Sequence, residues 1–245
     1  MTLIRAKDYW WAFVLLVVSS YLIGNINFAI LISKAKHNDI THVGSGNPGT
    51  MNMSRAFGLK IGLLTLILDI LKGALPTLIG TLIFQKCAFI SSGINVNSVS
   101  GIMCGFSVVT GHIFPFWRKF KGGKGIASTI GVFLVLEPCF APIFMIAALM
   151  FILYTEMGSM GSFIATTPPA IIYIWHHYLR CFRSGIAYSD GLSVYLTGML
   201  LAVGIIFLTW FAHRANIKRL IYGEEHPTDW MRMIKELKYK KKKSK

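Results

Sequence analysis

The chain has 245 residues, 54% of them hydrophobic and only 14% charged. Soluble domains average about 25% charged residues, so an ordinary soluble fold is excluded. The formal net charge of +15 brings nucleic acid and acidic membrane surfaces into consideration, and the placement of the charges decides between them.

A bilayer crossing needs about 17–25 apolar residues. Apolar runs at 10–32, 61–84, 99–117, 125–136, 140–154, 162–178 and 191–212 predict an all-α integral membrane protein with seven transmembrane helices. The fourth and fifth runs are short and separated by Glu137-Pro138, so five or six spans is the alternative. The first run is too long for a secretory signal and no small-residue cleavage site follows it. It reads as one permanent helix, although it carries Asn25 and Asn27.

Lys34, Lys36, Arg55 and Lys60 follow the first run, and Arg118, Lys119, Lys121 and Lys124 follow the third. Eleven more basic residues follow from Arg214 onward. The intervening connections hold only Arg5, Lys7, Lys86, Arg180 and Arg183. The positive-inside rule therefore puts the N-terminus outside and the C-terminus in the cytoplasm, which requires an odd number of spans. Residues 1–245 read as one membrane-embedded domain, with 233–245 as a basic cytoplasmic tail near anionic headgroups. Nucleic-acid binding is not expected. Cys87, Cys104, Cys139 and Cys181 form no CxxC pair and read as packing residues. No cluster has metal-ligand spacing, so no metal or other cofactor is expected.

Four polar segments then fall on the cytoplasmic side. The first, His42–Gly58, reads HVGSGNPGTMNMSRAFG, with four Gly, two Asn and no apolar period. It is expected to be a loop. Its backbone N–H groups suit an anion nest, helped by Ser45, Asn47 and Asn52, with Arg55 able to fork onto phosphate. The second segment contains Lys121-Gly122-Gly123-Lys124-Gly125. Its glycines allow close approach by a phosphate, and it is placed to open a helix whose positive end faces a ligand. The spacing is not that of a nucleotide P-loop. The third segment holds Ser159 and Ser162 among glycines, suited to helix packing or to substrate contact. The fourth holds His213 and Asn216, three apart and so on one helical face. Inside the second run, Asp69 and Lys72 share that spacing and read as a mutual pair.

Together these segments resemble the PlsY family of bacterial acyl-phosphate-dependent glycerol-3-phosphate acyltransferases. The first family motif is similar to Ser45-Gly46-Asn47-Pro48-Gly49 through Asn52 and Arg55. The second resembles Gly111-His112-Ile113-Phe114-Pro115 through Phe120-Lys121-Gly122-Gly123-Lys124-Gly125. The third resembles His213-Arg214-Ala215-Asn216 through Leu220, with Gly223 and Glu225 after it. The resemblance covers nearly the whole chain, including LDILKG at 68–73. It implies a seven-helix enzyme of the bacterial plasma membrane, with its site on the cytoplasmic side. The implied reaction moves an acyl group from acyl phosphate to the sn-1 hydroxyl of glycerol 3-phosphate, giving lysophosphatidate and phosphate. A functional link to an acyl-phosphate synthase is implied as well.

By resemblance, Ser45, Gly46, Asn47, Gly49 and Asn52 bind the acyl phosphate. Arg55, Lys121 or Lys124, Ser159, His213 and Asn216 form the glycerol 3-phosphate site, and Glu225 reads as structural. His213 or a substrate phosphate oxygen takes the hydroxyl proton, with Asn216 beside it. Ser45 as a nucleophile is the less suited reading, because a glycine-rich anion loop fits phosphate better. Met51 and Glu156 depart from the family pattern, and the connection 176–190 is longer than usual for it. A transporter of a phosphorylated solute is the competing reading. It predicts internal repeats and charge deep in several helices, whereas only Asp69 and Lys72 qualify. Acyltransferases that use a thioester donor carry His-x4-Asp, which is absent here.

Overall fold

The computed structural model describes residues 4–5, 9–84, 87–88, 97–183 and 190–243. Among the described residues the regular structure is helical apart from two short paired strands, Ile4–Arg5 and Cys87–Ala88. Eleven α-helices are described: α1 (Trp10–Gly24), α2 (Phe28–Ala35), α3 (Thr50–Phe57), α4 (Leu59–Ile83), α5 (Asn97–Ile113), α6 (Ile126–Leu136), α7 (Ala141–Thr155), α8 (Gly158–Arg183), α9 (Asp190–Ala212), α10 (Arg214–Ile221) and α11 (Trp230–Lys243). Among the described residues, four stretches are long and apolar enough to cross a membrane: Trp10–Ala35, Leu59–Ile83, Val99–Arg118 and Val194–Ala212.

The helices are inside out relative to a soluble bundle. On α4 the buried residues are Gly62, Thr65, Asp69, Lys72, Gly73, Pro76, Thr77 and Gly80, spaced three to four apart. They make one small and polar stripe facing the other helices. The outward faces hold exposed Leu64, Ile67, Leu75 and Ile79 on α4, and Leu200 and Phe207 on α9. Large apolar side chains turned outward need a hydrocarbon solvent.

The short α6 is covered by protein, not lipid. Ala127 to Phe133 are all buried, so α6 needs no full bilayer length. It packs against α4 at backbone distance. A Cβ on Gly73 would lie 2.1 Å from the Ser128 carbonyl oxygen, and one on Gly131 would lie 2.0 Å from that of Ile70. The core continues through Ile102 and Val109 of α5, Tyr173 of α8 and Ile205 of α9.

Two expectations change. The first apolar run is not one helix. Asn25 ends α1, and the Asn27 side chain caps α2 by accepting from the Ile30 N–H at 3.0 Å. Short amides compete for backbone groups, which is why they favour helix ends. The segment 42–58 is likewise not all loop, because its second half is α3. Part of the connection 176–190 is helix, since α8 runs to Arg183, and 184–189 lie outside the described residues.

Candidate functional site

The break between α1 and α2 pins two connections. The Asn25 side-chain oxygen Oδ1 accepts from the Phe116 N–H at 2.8 Å, and the Tyr21 hydroxyl donates to the Phe114 carbonyl at 2.8 Å. The Asn27 amide donates to the Pro48 carbonyl at 3.4 Å. Below the break, Lys72 donates to the Ile26 carbonyl at 2.7 Å and pairs with Asp69 at 2.8 Å. The expected Asp69–Lys72 pair is therefore present, and it also fixes the break. His112 Nδ1 lies 3.9 Å from the same carboxylate.

The 42–49 segment is organised from within. Asn52 is buried; its amide donates to the carbonyls of Val43 (2.8 Å) and Ile40 (3.3 Å), and its oxygen accepts from the Ser45 N–H (3.2 Å). Gly46 and Gly49 donate to Val43 and Asn47. Gly44 and Gly46 have positive φ of 58° and 67°, which glycine adopts at no steric cost. Asn52 thus shapes the loop, and most of the expected nest is satisfied internally. What faces outward is the exposed Ser45, the Asn47 amide beside Gly49, and the first turn of α3, which has no side-chain cap. Ser54 offers no substitute for the hydroxyl absent at Met51. Its Oγ donates to the Thr50 carbonyl at 2.9 Å and is turned against Gly62.

The glycines at 122–123 have a different reason from the one expected. Their N–H groups donate to the Ile113 and His112 carbonyls at 3.0 and 3.1 Å. A Cβ on Gly123 would lie 2.1 Å from His112 Nε2. Close approach is to the end of α5, not to a phosphate. Gly125 (φ 78°) then opens α6.

This turn separates the two lysines. Lys121 is exposed. Lys124 points inward, and its Nζ donates to Asn216 Oδ1 at 2.6 Å. Asn216 Nδ2 donates to the Ser159 hydroxyl at 2.8 Å. The backbone N–H of Ser159, in the first turn of α8, donates to Glu225 at 2.8 Å. Glu225 is therefore a cap on α8, where a carboxylate meets the positive end of the helix. Ser162 is bonded back to the Gly158 carbonyl. The sequence groups Lys124, Ser159 and Asn216 are thus brought into one chain of contacts across three segments.

Burial lowers the Lys124 pKa to about 8; Arg219 and Arg55 add to the shift and Glu225 opposes it. Its ammonium makes one hydrogen bond among the described residues, leaving two donors for an anion. Arg55, on α3, donates through Nη2 to the Pro227 carbonyl and lies 3.9 Å from Asp229. Arg219 was not singled out from the sequence. It stands three residues after Asn216 on α10, so the helical spacing that linked His213 to Asn216 also pointed to it. Its Nε is buried with no hydrogen-bond partner among the described residues.

His213 is buried at the junction of α9 and α10. Its Nδ1 lies 2.8 Å from the Thr209 carbonyl. A carbonyl only accepts, so Nδ1 carries the proton and Nε2 is left as an acceptor. Burial, then the Lys124 charge, lower its pKa to about 4, so the ring is neutral near pH 7. Its edge meets Phe163 at 5.2 Å. Phe163 lines an apolar cavity of about 440 Å³ between α8, α9 and α10, with Met160, Ile164, Trp210 and Leu220. Nothing in the periodicity distinguished this groove from ordinary packing.

A model of the glycerol-3-phosphate acyltransferase family matches residues 14–223. The chain belongs to the glycerol-3-phosphate acyltransferase family. The match spans the α1–α2 break, α3, the turn carrying Lys124, and α10. A glycerol-3-phosphate acyltransferase of Mycoplasmopsis pulmonis is 36% identical over 219 residues, 89% of this chain and 94% of that one. One from Aquifex aeolicus is 33% identical over 211 residues, 86% and 96%. Two crystal structures of PlsY (YgiH), an integral membrane glycerol 3-phosphate acyltransferase, superpose with a TM-score of 0.68. They are its glycerol 3-phosphate and lysophosphatidic acid forms, 33% and 32% identical, each covering 88% of this chain and 95% of that one. As a family member, the chain is a multi-pass membrane enzyme of phospholipid synthesis.

Proposed function

We propose that the enzyme transfers a fatty acyl group from acyl phosphate to the sn-1 hydroxyl of glycerol 3-phosphate, releasing lysophosphatidate and inorganic phosphate. The observation that carries this reading is the partly buried Lys124–Asn216–Ser159 chain of contacts, flanked by Arg55 and Arg219. In this reading Lys124, Arg55 and Arg219 hold the phosphate of glycerol 3-phosphate, and Ser159 and Asn216 orient its glycerol. Lys121 stays in solvent. The Ser45 hydroxyl, the Asn47 amide and the first turn of α3 hold the phosphoryl group of the donor, on a loop whose Gly46 and Gly49 N–H groups are spent within the turn and which Asn52 shapes from inside. The acyl chain lies in the groove lined by Phe163 and Trp210, whose volume and apolar walls suit a hydrocarbon ligand.

The substrate hydroxyl donates to His213 Nε2 and attacks the acyl carbonyl carbon directly. The carbon–oxygen bond to phosphate breaks, and the released phosphate oxygen ends with the proton. A ring of pKa about 4 positions the hydroxyl better than it takes the proton outright. Proximity and a concentrated positive field therefore provide the acceleration, and the Ser45 hydroxyl donates a hydrogen bond to the phosphoryl group and is not a nucleophile.

Seven passes, with the N-terminus outside and the C-terminus in the cytoplasm, fit the charge pattern. They also fit seven helical segments in chain order, α1–α2, α4, α5, α6, α7, α8 and α9. In this arrangement the site faces the cytoplasm of a bacterial cell, where an acyl-phosphate synthase supplies the donor. The test is to supply labelled glycerol 3-phosphate with palmitoyl phosphate or with palmitoyl-CoA. Labelled lysophosphatidate from the acyl phosphate alone supports the reading; product from the thioester alone overturns it.

A further inference from the structure

The family match ends at Gly223, yet the chain continues across the mouth of the site. Residues 224–229 run from Glu225 on the first turn of α8, past Thr228, whose N–H donates to the Glu156 carbonyl at 3.0 Å, to Asp229 beside Arg55. Thr228 is 1% exposed and Trp230 7% exposed, so this strap is packed into the protein and does not trail from it. It ends in α11, which touches α4.

The sequence of α11, WMRMIKELKYKKKK, holds seven basic residues and one acid. Trp230, Met233 and Ile234 are spaced as one helical face and are buried or partly buried, whereas Arg232, Lys235 and Glu236 are exposed. Met231 and Tyr239 are also exposed, at 38% and 62%. With its apolar face packed on the protein and its exposed face carrying net positive charge, α11 is suited to meet anionic headgroups through its charge. The strap joining it to α10 is eight residues long, 222–229, so α11 stays within about 30 Å of the helical bundle. The nearest anionic surface is the leaflet that holds the enzyme.

We propose that α11 docks on the anionic lipid surface of that leaflet, and that docking tightens the 224–229 strap, which orients Arg55. The Arg55 contacts to the Pro227 carbonyl and Asp229 are the physical link, because whatever fixes 227–229 fixes the guanidinium. The link to substrate rests on the assignment of Arg55 to glycerol 3-phosphate; the docking does not.

The experiment uses the full chain in nanodiscs of phosphatidylcholine alone or with phosphatidylglycerol, at low and high salt. Backbone hydrogen exchange across 230–243 reads the docking. The expected result is exchange at least about tenfold slower in the anionic discs. High salt removes that difference, and so does the variant Lys240→Gln/Lys241→Gln/Lys242→Gln/Lys243→Gln. Equal exchange in the two discs overturns the proposal. The KM for glycerol 3-phosphate reads the coupling: anionic lipid lowers it with kcat unchanged, and the charge-neutral variant loses the difference. Slowed exchange with an unchanged KM overturns the strap. Slowed exchange in a protein that makes no lysophosphatidate leaves docking in place and removes the proposed reaction.

Discussion

Lys124 and Asn216 are 92 residues apart in the chain, and the Lys124 ammonium donates to the Asn216 carbonyl at 2.6 Å. The same amide donates its N–H to Ser159 at 2.8 Å. Both ends of Asn216 are engaged, so its orientation is fixed and a change there is felt on two sides.

Asn216→Ala is expected to lower kcat/KM by about ten- to a hundredfold, the equivalent of one or two charge-assisted hydrogen bonds. Ser159→Ala is expected to lower it less. Because the three groups form one chain, Asn216→Ala and Ser159→Ala together should cost less than the product of the single effects. A double-mutant cycle on kcat/KM checks this; strict multiplicativity contradicts it.

Lys124 titrates near pH 8 in the empty site. Its protonated form binds a phosphate dianion, so binding is supported below that pH and weakens as pH rises through it. A phosphate monoester becomes a dianion above about pH 6. Thus kcat/KM for glycerol 3-phosphate should peak between about 6 and 8 and fall on the alkaline side. A profile that stays flat to pH 10 removes Lys124 from the phosphate site. His213, near 4, should contribute no limb in this range.

The buried Asp69–Lys72 pair predicts an asymmetry in stability. Removing one partner strands the other charge, at a cost of about 3–5 kcal/mol. Asp69→Leu should therefore lower the thermal midpoint in detergent more than Asp69→Leu/Lys72→Leu does. A double variant as damaged as the single would show that the Lys72 contact to the Ile26 carbonyl dominates instead.

Much of the fold could be read from the sequence because membrane burial writes long apolar runs, and basic residues cluster at alternate ends. The Asp69–Lys72 pair followed from spacing alone. The break at 25–27 carried its own signal in two asparagines, but their partners at Pro48 and Phe116 are remote in sequence and unreadable from it. The same limit explains Gly122 and Gly123. Their composition suggested an anion nest, whereas the tertiary partner of their N–H groups is the end of α5. Asn52 was visible as a polar residue in a phosphate-like loop, but its burial was not. Which of Lys121 and Lys124 points inward depends on which way a five-residue turn faces, and that is set by the packing of Gly123 on His112.

Packing between α4 and α6 is at backbone contact through Gly73 and Gly131. Gly131→Val should destabilise the protein by about 1–3 kcal/mol through overpacking. If the surviving folded fraction has an unchanged KM, the defect is confined to the helix contact, and a temperature series of residual activity measures it. Full thermal stability of the variant would mean that the two helices separate freely.

In the proposed site Lys124, not Lys121, meets the substrate phosphate. The direct measurement is the KM for glycerol 3-phosphate in Lys124→Met and Lys121→Met, at saturating palmitoyl phosphate. The expected KM rise is about tenfold or more for Lys124→Met, with Lys121→Met within about twofold of the parent, as for an exposed charge. A large rise for Lys121→Met with Lys124→Met unaffected would contradict the account.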